Sequence, residues 1–183
     1  MEESCSQRKI SELLNSTYLS LIPKKDHSDS FNDYRPISLC NLLYKLITKI
    51  IAERLKPYLG KFISEEHFTF FLDIQITNAV GVVQECLHTA KVNKKSAFFL
   101  KFDLVKAYDQ VDWSYLRMIL IQIGLSLDMV EWMMNAVSLA RFAMLINGVL
   151  TENFKSNMGL QQGWPLSPYL FILAIEGLNL LIQ

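Results

Sequence analysis

Two short β-like runs, Arg141–Ile146 and Val149–Phe154, flank the dipeptide Asn147-Gly148. Asparagine and glycine both accept the positive φ angles of a type I′ turn, so the three segments together predict a β-hairpin. A hairpin commits this part of the chain to antiparallel strands and excludes an all-helical fold. Elsewhere the apolar residues recur mainly at helical spacing, and the combination predicts an α+β protein.

The other elements follow from periodicity and from the positions of glycine and proline. Thr17–Pro23 roughly alternates and predicts a strand ended by proline, while the apolar run Ala97–Phe102 predicts a buried strand. The predicted helices are Ser38–Leu55 ended by Pro57, Ile76–Lys91, Trp113–Ile123 closed by Gly124, Asp128–Leu139 capped by Ser126 or Asp128, and a last helix that Ser167-Pro168 opens, with the serine as its cap.

Length and composition exclude several classes of protein. The chain has 183 residues, of which 51% are hydrophobic, enough to form the core of one domain and too apolar for a disordered chain. Its three cysteines form no CxxC pair and suit reduced thiols better than a disulfide framework. The N-terminus lacks the features of a signal peptide, and no apolar run reaches the roughly 20 residues of a membrane span. These features predict a soluble intracellular protein.

The formal net charge is zero, which by itself argues against a nucleic-acid binder. The average hides an uneven distribution, because residues 1–62 carry ten basic and seven acidic side chains and residues 63–183 carry eight and eleven. On the first predicted helix, one face carries Lys45, Lys49 and Lys56, and the opposite face carries Ile47, Ile50 and Ile51. The lysine face is either a solvated surface over a packed one or a surface that contacts an anion, and the spacing leaves both open.

The segment Phe98–Trp113, FFLKFDLVKAYDQVDW, places Asp103 at the end of the predicted buried strand. A carboxylate at a strand end facing a cleft suits Mg²⁺, which binds one or two carboxylates together with substrate phosphates. For Asp103, a catalytic and a structural role are evenly balanced on this evidence alone. Asp109 and Asp112 are interpreted as a loop acid and a helix-cap acid next to Trp113.

A second segment, Gly159–Phe171, reads GLQQGWPLSPYLF. Two glycines and a proline shape a loop that leads into a helix N-terminus, where unpaired N–H groups attract anions or a nucleotide. Gln162 adds a neutral donor and acceptor on that loop. Taken alone this signal is weak, because many junctions between a loop and a helix look alike.

The two segments in this order resemble the reverse transcriptases of LINE-type (non-LTR) retrotransposons. The upstream blocks agree with the family in order: LIPK at Leu21–Lys24, NDYRPISLCNLLYKLITKIIAERL at Asn32–Leu55, and ISEEHFTFF from Ile63. The resemblance runs from about Tyr18 to the last residue, and the sequences of these blocks are similar to those of plant genome elements. It implies part of a polymerase right hand, with an N-terminal extension at 1–16, a fingers-like part at 17–96 and an incomplete palm-like part at 97–183.

The resemblance also implies roles for individual residues. Asp103 matches the catalytic aspartate that binds Mg²⁺, and Tyr108 matches the aromatic residue under the sugar of the incoming nucleotide, which excludes a 2′-hydroxyl. The remaining nucleotide-binding positions are Lys24 and Arg35, which match residues that clamp the triphosphate, and Gln162 and Gly163, which match loop residues against the template–nucleotide pair. The implied partners are an RNA template, a DNA primer and deoxynucleoside triphosphates, with Lys45, Lys49 and Lys56 as contacts to the template backbone.

The sequence departs from the family pattern in three places. The family's Asp-Asp hairpin lies downstream of the last helix, and no Asp-Asp dipeptide occurs in this chain. Trp164 stands where LINE-type enzymes commonly have aspartate, and TFFLDI at Thr69–Ile74 replaces a stretch that usually reads AFxxGR.

From these departures we expect a truncated reverse transcriptase domain, lacking the catalytic hairpin and the thumb, that is an RNA-directed DNA polymerase by descent and inactive as this fragment. The alternative is a non-catalytic retrotransposon remnant with at most weak binding to RNA or DNA. The family acts in the nucleus, although no basic targeting segment stands out in the chain.

Overall fold

A computed structural model describes residues 15–63, 76–96, 98 and 103–182 of the chain. In this part of the chain two strands are followed by four helices, three more strands and a final helix, and short 3₁₀ helices at Phe31–Asp33 and Ala107–Gln110 lie in two of the loops. The strands are β1 Ser16–Pro23, β2 Tyr34–Cys40, β3 Arg141–Ile146, β4 Val149–Leu150 and β5 Phe154–Lys155; the helices are α1 Leu42–Phe62, α2 Ile76–Val92, α3 Trp113–Gln122, α4 Leu127–Ser138 and α5 Ser167–Ile182. The α+β fold class is confirmed.

The sheet joins two hairpins that are far apart in sequence. β1 pairs antiparallel with β2 and parallel with β3, and the strand order is β2-β1-β3-β4. The predicted Asn147-Gly148 turn is confirmed, with φ angles of 50° and 81°. Its second arm divides into β4 and β5, which both pair with β3. Thr151, the first of the three residues between them, keeps the hairpin closed, because its hydroxyl accepts a hydrogen bond from the Met144 N–H at 2.9 Å.

Helix α1 differs from its prediction at both ends. It begins at Leu42 because the residues before it belong to β2, and the Asn41 side chain caps it by accepting from the Leu43 N–H at 2.9 Å. It continues through Pro57 to Phe62, so the prediction that proline ends it was wrong. Burial explains why the helix continues: Leu55 and Leu59, on either side of the proline, are both fully buried, and this packing outweighs the backbone hydrogen bond that proline removes.

The other predicted helices are confirmed to within one or two residues. The Asp112 side chain caps α3 by accepting from the Tyr115 N–H at 2.8 Å, and Ser126 caps α4. Gly124 closes α3 with a φ of +81°, a conformation that favours glycine. Ser167 is the first residue of α5 rather than its cap, so that detail of the prediction was wrong.

The core lies where α1, α3, α4 and α5 meet. Leu55, Leu120, Met133 and Leu170 come from the four helices in turn, and each is fully buried. Tyr44 of α1 is also fully buried, and its hydroxyl donates to the Ala136 carbonyl at the end of α4 at 2.7 Å. Helix α1 is therefore attached to the later helices by packing and by a buried hydrogen bond.

Three expectations extend beyond this description. The predicted strand Ala97–Phe102 lies outside the described residues except for Phe98, which is exposed. The division into an extension, a fingers-like part and a palm-like part stays a prediction. Among the helices that the structure describes, none is both long and apolar enough to cross a membrane.

We predict that Tyr44→Phe lowers the free energy of unfolding by about 1 kcal/mol at pH 8, because it removes the shorter of two hydrogen bonds to the buried Ala136 carbonyl and leaves only the bond from Asn15 Nδ2 at 3.4 Å. Burial raises the pKa of Tyr44 well above its usual value, and the stability that the neutral phenol contributes is present below pH 10 and lost as the pH rises. The difference between the two proteins should therefore shrink as the pH rises from about 10 to about 11.5. Urea unfolding across this range measures it, and a difference that is constant with pH would contradict the assignment.

Candidate functional site

Backbone hydrogen bonds join the loop after Asp103 to the loop that precedes α5. The Gly159 N–H donates to the Val111 carbonyl and the Leu160 N–H donates to the Tyr108 carbonyl, both at 2.8 Å. The Trp113 indole N–H donates to the Gly159 carbonyl, also at 2.8 Å. Two segments that the sequence singled out separately thus form one rigid junction.

Glycine is required at the centre of this junction. Gly159 has a φ of +87°, and a Cβ atom on it would lie 2.8 Å from the carbonyl oxygen of Asp109 and 2.9 Å from its Cα. Both atoms belong to the backbone and cannot move aside as a flexible side chain would. The absence of a side chain at Gly159 is therefore what allows the two loops to approach.

The predicted nucleotide-binding residues Gln162 and Gly163 lie against strand β2. The Ser38 N–H donates to the Gln162 carbonyl at 2.9 Å. Gly163 has a φ of +90°, and a Cβ atom there would lie 3.5 Å from the Ser38 carbonyl oxygen. The β1–β2 hairpin, the loop after Asp103 and the loop before α5 therefore meet around residues 159–163.

Gln161 is a residue of this site that the sequence did not indicate. It is buried, its backbone carbonyl accepts from the Ser167 hydroxyl at 2.6 Å, and its side-chain oxygen accepts from the Cys40 thiol at 3.3 Å. Burial raises the pKa of Cys40 and keeps it a neutral thiol. In the run Gln161-Gln162 nothing in the sequence tells which side chain faces inward, because the loop has no periodicity.

Tyr108 stacks on Phe171 of α5, with ring centroids 4.6 Å apart and an angle of 14° between the rings. The tyrosine is half-buried, and burial raises its pKa. The stacking fixes the ring plane from the side of α5. Tyr108 is thus held both by its backbone carbonyl and by its ring.

The predicted metal ligand Asp103 is exposed and precedes a turn at Val105 and Lys106. Asp109 lies in a 3₁₀ helix and Asp112 caps α3, so the interpretation of these two as loop and cap acids is confirmed. Among the described residues, no three His, Cys, Asp or Glu side chains come together in a way that could hold a metal ion. The described part of the chain therefore does not supply the set of ligands that a two-ion site needs.

The two predicted triphosphate residues, Lys24 and Arg35, lie at the end of the β1–β2 hairpin where the connecting loop 24–33 joins the strands. Arg35 is exposed on β2 opposite Ile22. The Lys24 ammonium group donates to the Asn32 backbone carbonyl at 2.8 Å, and the Lys106 ammonium group donates to Asn32 Oδ1 at 2.7 Å. Through Asn32 the structure brings Lys24 close to the loop after Asp103, whereas it shows no such contact for Arg35 among the described residues.

The three lysines of the α1 face differ in their surroundings. Lys49 is exposed and Lys45 is half-buried. Lys56 donates to Glu53 at 2.7 Å and lies 5.8 Å from the ring centroid of Tyr169, and the bond to Glu53 is the main cause that raises its pKa. Through Lys56 and Tyr169 the lysine face of α1 adjoins the first turn of α5. The charge of Lys56, however, is already paired with the Glu53 carboxylate.

A cavity of about 210 Å³ lies beside the junction, lined by Ser38, Asp109, Trp113, Gln161 and Gln162 among others. Pockets that bury a whole small-molecule ligand are usually larger, about 300–1,000 Å³. A nucleotide does not fit within it. A ligand of nucleotide size at the junction would therefore lie on the surface around residues 159–163 and not inside this cavity.

Comparison with known proteins decides the family. Residues 22–183 match the sequence profile of the family described as reverse transcriptase (RNA-dependent DNA polymerase). The chain belongs to the reverse transcriptase family. The resemblance found in the motifs is thereby confirmed.

Proteins of transposable elements are similar to this reverse transcriptase chain. The uncharacterized 149 kDa protein of transposon TX1 from Xenopus laevis is 34% identical over 158 residues, which cover 86% of this chain and 12% of that protein. The Pol polyprotein of the type-1 retrotransposable element R2 from Popillia japonica is 23% identical over 165 residues, or 90% of this chain and 23% of that protein. The polyprotein of R2DM from Drosophila melanogaster is 27% identical over 157 residues, or 86% and 15%. The chain thus spans less than a quarter of each of these relatives.

We predict that Gly159→Ala destabilises this reverse transcriptase domain by about 2–4 kcal/mol, because the backbone is left-handed there and the new methyl group meets the Asp109 backbone. Gly60→Ala is the matched control, since Gly60 lies in α1 with open space around its Cβ position, and it should stabilise by about 0.5–1 kcal/mol. Urea unfolding of both variants is the measurement. Equal effects of the two substitutions would show that the close approach is unimportant.

Proposed function

We propose that the chain is the part of a LINE-type retrotransposon polymerase that contacts the incoming nucleotide and the RNA template. The observation that carries the proposal is the junction at residues 159–163, where three segments with reverse transcriptase motifs meet through backbone hydrogen bonds. Polymerase chemistry needs a nucleotide held against a template in a fixed geometry, and a rigid junction of loops suits that need. A nuclear place of action follows from the proposed origin.

The nucleotide would lie across the junction. In this proposal, Lys24 and Arg35 bind its phosphates through charge-assisted hydrogen bonds, and Tyr108 lies under its sugar. Gln162 and Gly163 contact the base pair, where a residue without a side chain lets the backbone come close. The position of Lys24 beside the loop after Asp103, and the fixed ring of Tyr108, support these roles.

Asp103 is the proposed catalytic carboxylate, and Mg²⁺ is the proposed ion of the complete polymerase. The described residues supply this one exposed carboxylate without a cluster of further ligands. Mg²⁺ gives up its bound water reluctantly, so a lone carboxylate holds the ion weakly. This favours the second candidate for the isolated chain, namely binding of RNA or DNA without catalysis.

The template would run along the lysine face of α1. Lys45 and Lys49 are the stronger candidates there, because Lys56 is engaged by Glu53. Contacts of this kind neutralise phosphates and release counterions, which sets affinity without reading sequence. The zero net charge of the chain does not oppose this proposal, since binding depends on the local surface.

We predict that the chain binds a single-stranded RNA 20-mer in a salt-dependent manner. The double variant Lys45→Gln/Lys49→Gln should weaken binding roughly tenfold and reduce the slope of log K against log salt by about 1.4, the value for two lost phosphate contacts on a single strand. Fluorescence anisotropy between 50 mM and 200 mM salt measures both quantities.

The matched control for this experiment lies on the same helix. Arg54→Gln/Lys61→Gln removes the same two charges about 160–180° around the helix from Lys45, at 100° per residue. It should leave both affinity and slope nearly unchanged. If the two double variants weaken RNA binding equally, the effect is one of total charge and the lysine face has no special role.

We also predict that the chain incorporates no dTTP on a poly(rA) template with an oligo(dT) primer and Mg²⁺. The reason is the missing cluster of metal ligands among the described residues. Incorporation that disappears in Asp103→Ala but survives in Asp128→Ala, an acid in the first turn of α4, would overturn the non-catalytic candidate and establish polymerase activity.

A further inference from the structure

Two ammonium groups from distant parts of the chain meet on one asparagine. Lys24 Nζ donates to the Asn32 backbone carbonyl at 2.8 Å, and Lys106 Nζ donates to the side-chain oxygen of the same residue at 2.7 Å. Asn32 and Lys106 are 74 positions apart, so the contact is tertiary. The two positive charges are thereby held close together at the surface.

A structured turn fixes the position of Asn32. The Asp33 carboxylate accepts from the backbone N–H groups of Asp29 and Ser30, both at 3.2 Å, and pairs with the Lys25 ammonium group at 2.9 Å. These contacts, with the bond to Lys25 first among them, lower the pKa of Asp33. The carboxylate next to Asn32 is therefore engaged within the turn by Lys25.

The backbone at Lys106 is also fixed. Lys106 has a left-handed φ of 51°, and its carbonyl accepts from the Asp109 N–H at 2.9 Å. Two residues later, the Tyr108 carbonyl is tied to Leu160 in the junction. The backbone that carries Lys106 is therefore anchored on its C-terminal side, next to the junction.

The pair of lysines has an unused capacity to bind an anion. Within the described residues, neither Lys24 nor Lys106 is paired with a carboxylate, and the oxygen atoms they contact belong to a neutral residue. An ammonium group forms shorter and stronger hydrogen bonds to an anionic oxygen than to an amide oxygen. Two such groups at one point favour a ligand with several adjacent negative charges.

We propose that Lys106 binds the phosphate groups of the incoming nucleoside triphosphate together with Lys24, and that Asn32 is the positioning residue that holds the two ammonium groups at one point. The identity of the ligand rests on the proposed function. The site itself rests on the geometry of the three residues. Each ammonium group has three N–H donors and uses one of them on Asn32, so phosphate oxygens accept from the others while Asn32 keeps the two lysines in reach of one polyphosphate.

The test uses the 183-residue chain and two probes, inorganic tripolyphosphate and dTTP, with binding measured by isothermal titration calorimetry. Lys106→Gln should weaken the binding of both probes about fivefold to tenfold. The matched control is Lys94→Gln, because Lys94 is also an exposed lysine with a left-handed φ, here 50°, at the end of α2. It should change the affinity less than twofold, and an equal loss in both variants would overturn the proposal.

A double-mutant cycle tests the positioning role of Asn32. Asn32→Ala should weaken tripolyphosphate binding severalfold in the wild-type background and have little effect in the Lys106→Gln background, because both changes act on the same ammonium group. Lys106→Arg should retain most of the affinity. Additive losses from Asn32→Ala and Lys106→Gln would show that Asn32 acts only through the fold.

The outcomes separate this inference from the proposed function. Tripolyphosphate binding that depends on Lys106, in a chain that does not bind RNA through Lys45 and Lys49, would retain the anion site and remove the polymerase role. RNA binding through α1 with no tripolyphosphate binding, or with binding insensitive to Lys106→Gln, would overturn the anion site alone. Circular dichroism of each variant verifies that it folds, and if Lys106→Gln does not, Lys106→Met takes its place.

Discussion

The close approach of two backbones at Gly159 is the constraint on which the rest of the site depends. Without it, the loop that follows Asp103 and the loop that contains Gln162 would belong to separate surfaces. Backbone hydrogen bonds on either side of the glycine then transmit the position of one loop to the other, and Ser38 extends the connection to the hairpin of β1 and β2. Because the link is made by backbone groups, it tolerates changes in the side chains around it far better than a change at the glycine.

The departure from the family pattern at Trp164 has a structural explanation. Trp164 is 2% exposed and stacks on Tyr44, with ring centroids 5.8 Å apart and 12° between the ring planes. Its side chain thus points into the core and away from the surface where a nucleotide would lie. An aspartate in the same place would be a buried charge, which is costly without a partner, so a family member with aspartate needs a different arrangement of this loop. Trp164 and Tyr44 together anchor the loop to α1.

Local chemistry accounts for the parts of the structure that the sequence predicts well. The Asn147-Gly148 turn, the Gly124 helix end and the Asp112 cap each depend on residues within four positions of one another. The errors come from tertiary effects: α1 continues through Pro57 because neighbouring leucines are buried, and Ser38 joins β2 because it pairs with β1. The contact between Lys106 and Asn32, and the burial of Gln161 rather than Gln162, follow only from the way distant segments pack. A resemblance to a family assigns roles to Lys24 and Gln162, but it contains no information about such contacts.

The basic residues of the first half are not equivalent, and the structure divides them by partner. Lys25 and Lys56 are paired with Asp33 and Glu53, so their charges are largely compensated within the chain. Lys24 contacts neutral oxygen, and Lys49 is exposed on the face of α1. Paired lysines contribute little to the attraction of a polyanion, because the nearby carboxylate cancels their field at the distances over which screened charges act. A chain with zero net charge can therefore present a positive surface when its carboxylates pair with some lysines and not with others. Among the described residues around Asn32, Asp33 pairs with Lys25, whereas Lys24 and Lys106 contact only the neutral oxygens of Asn32.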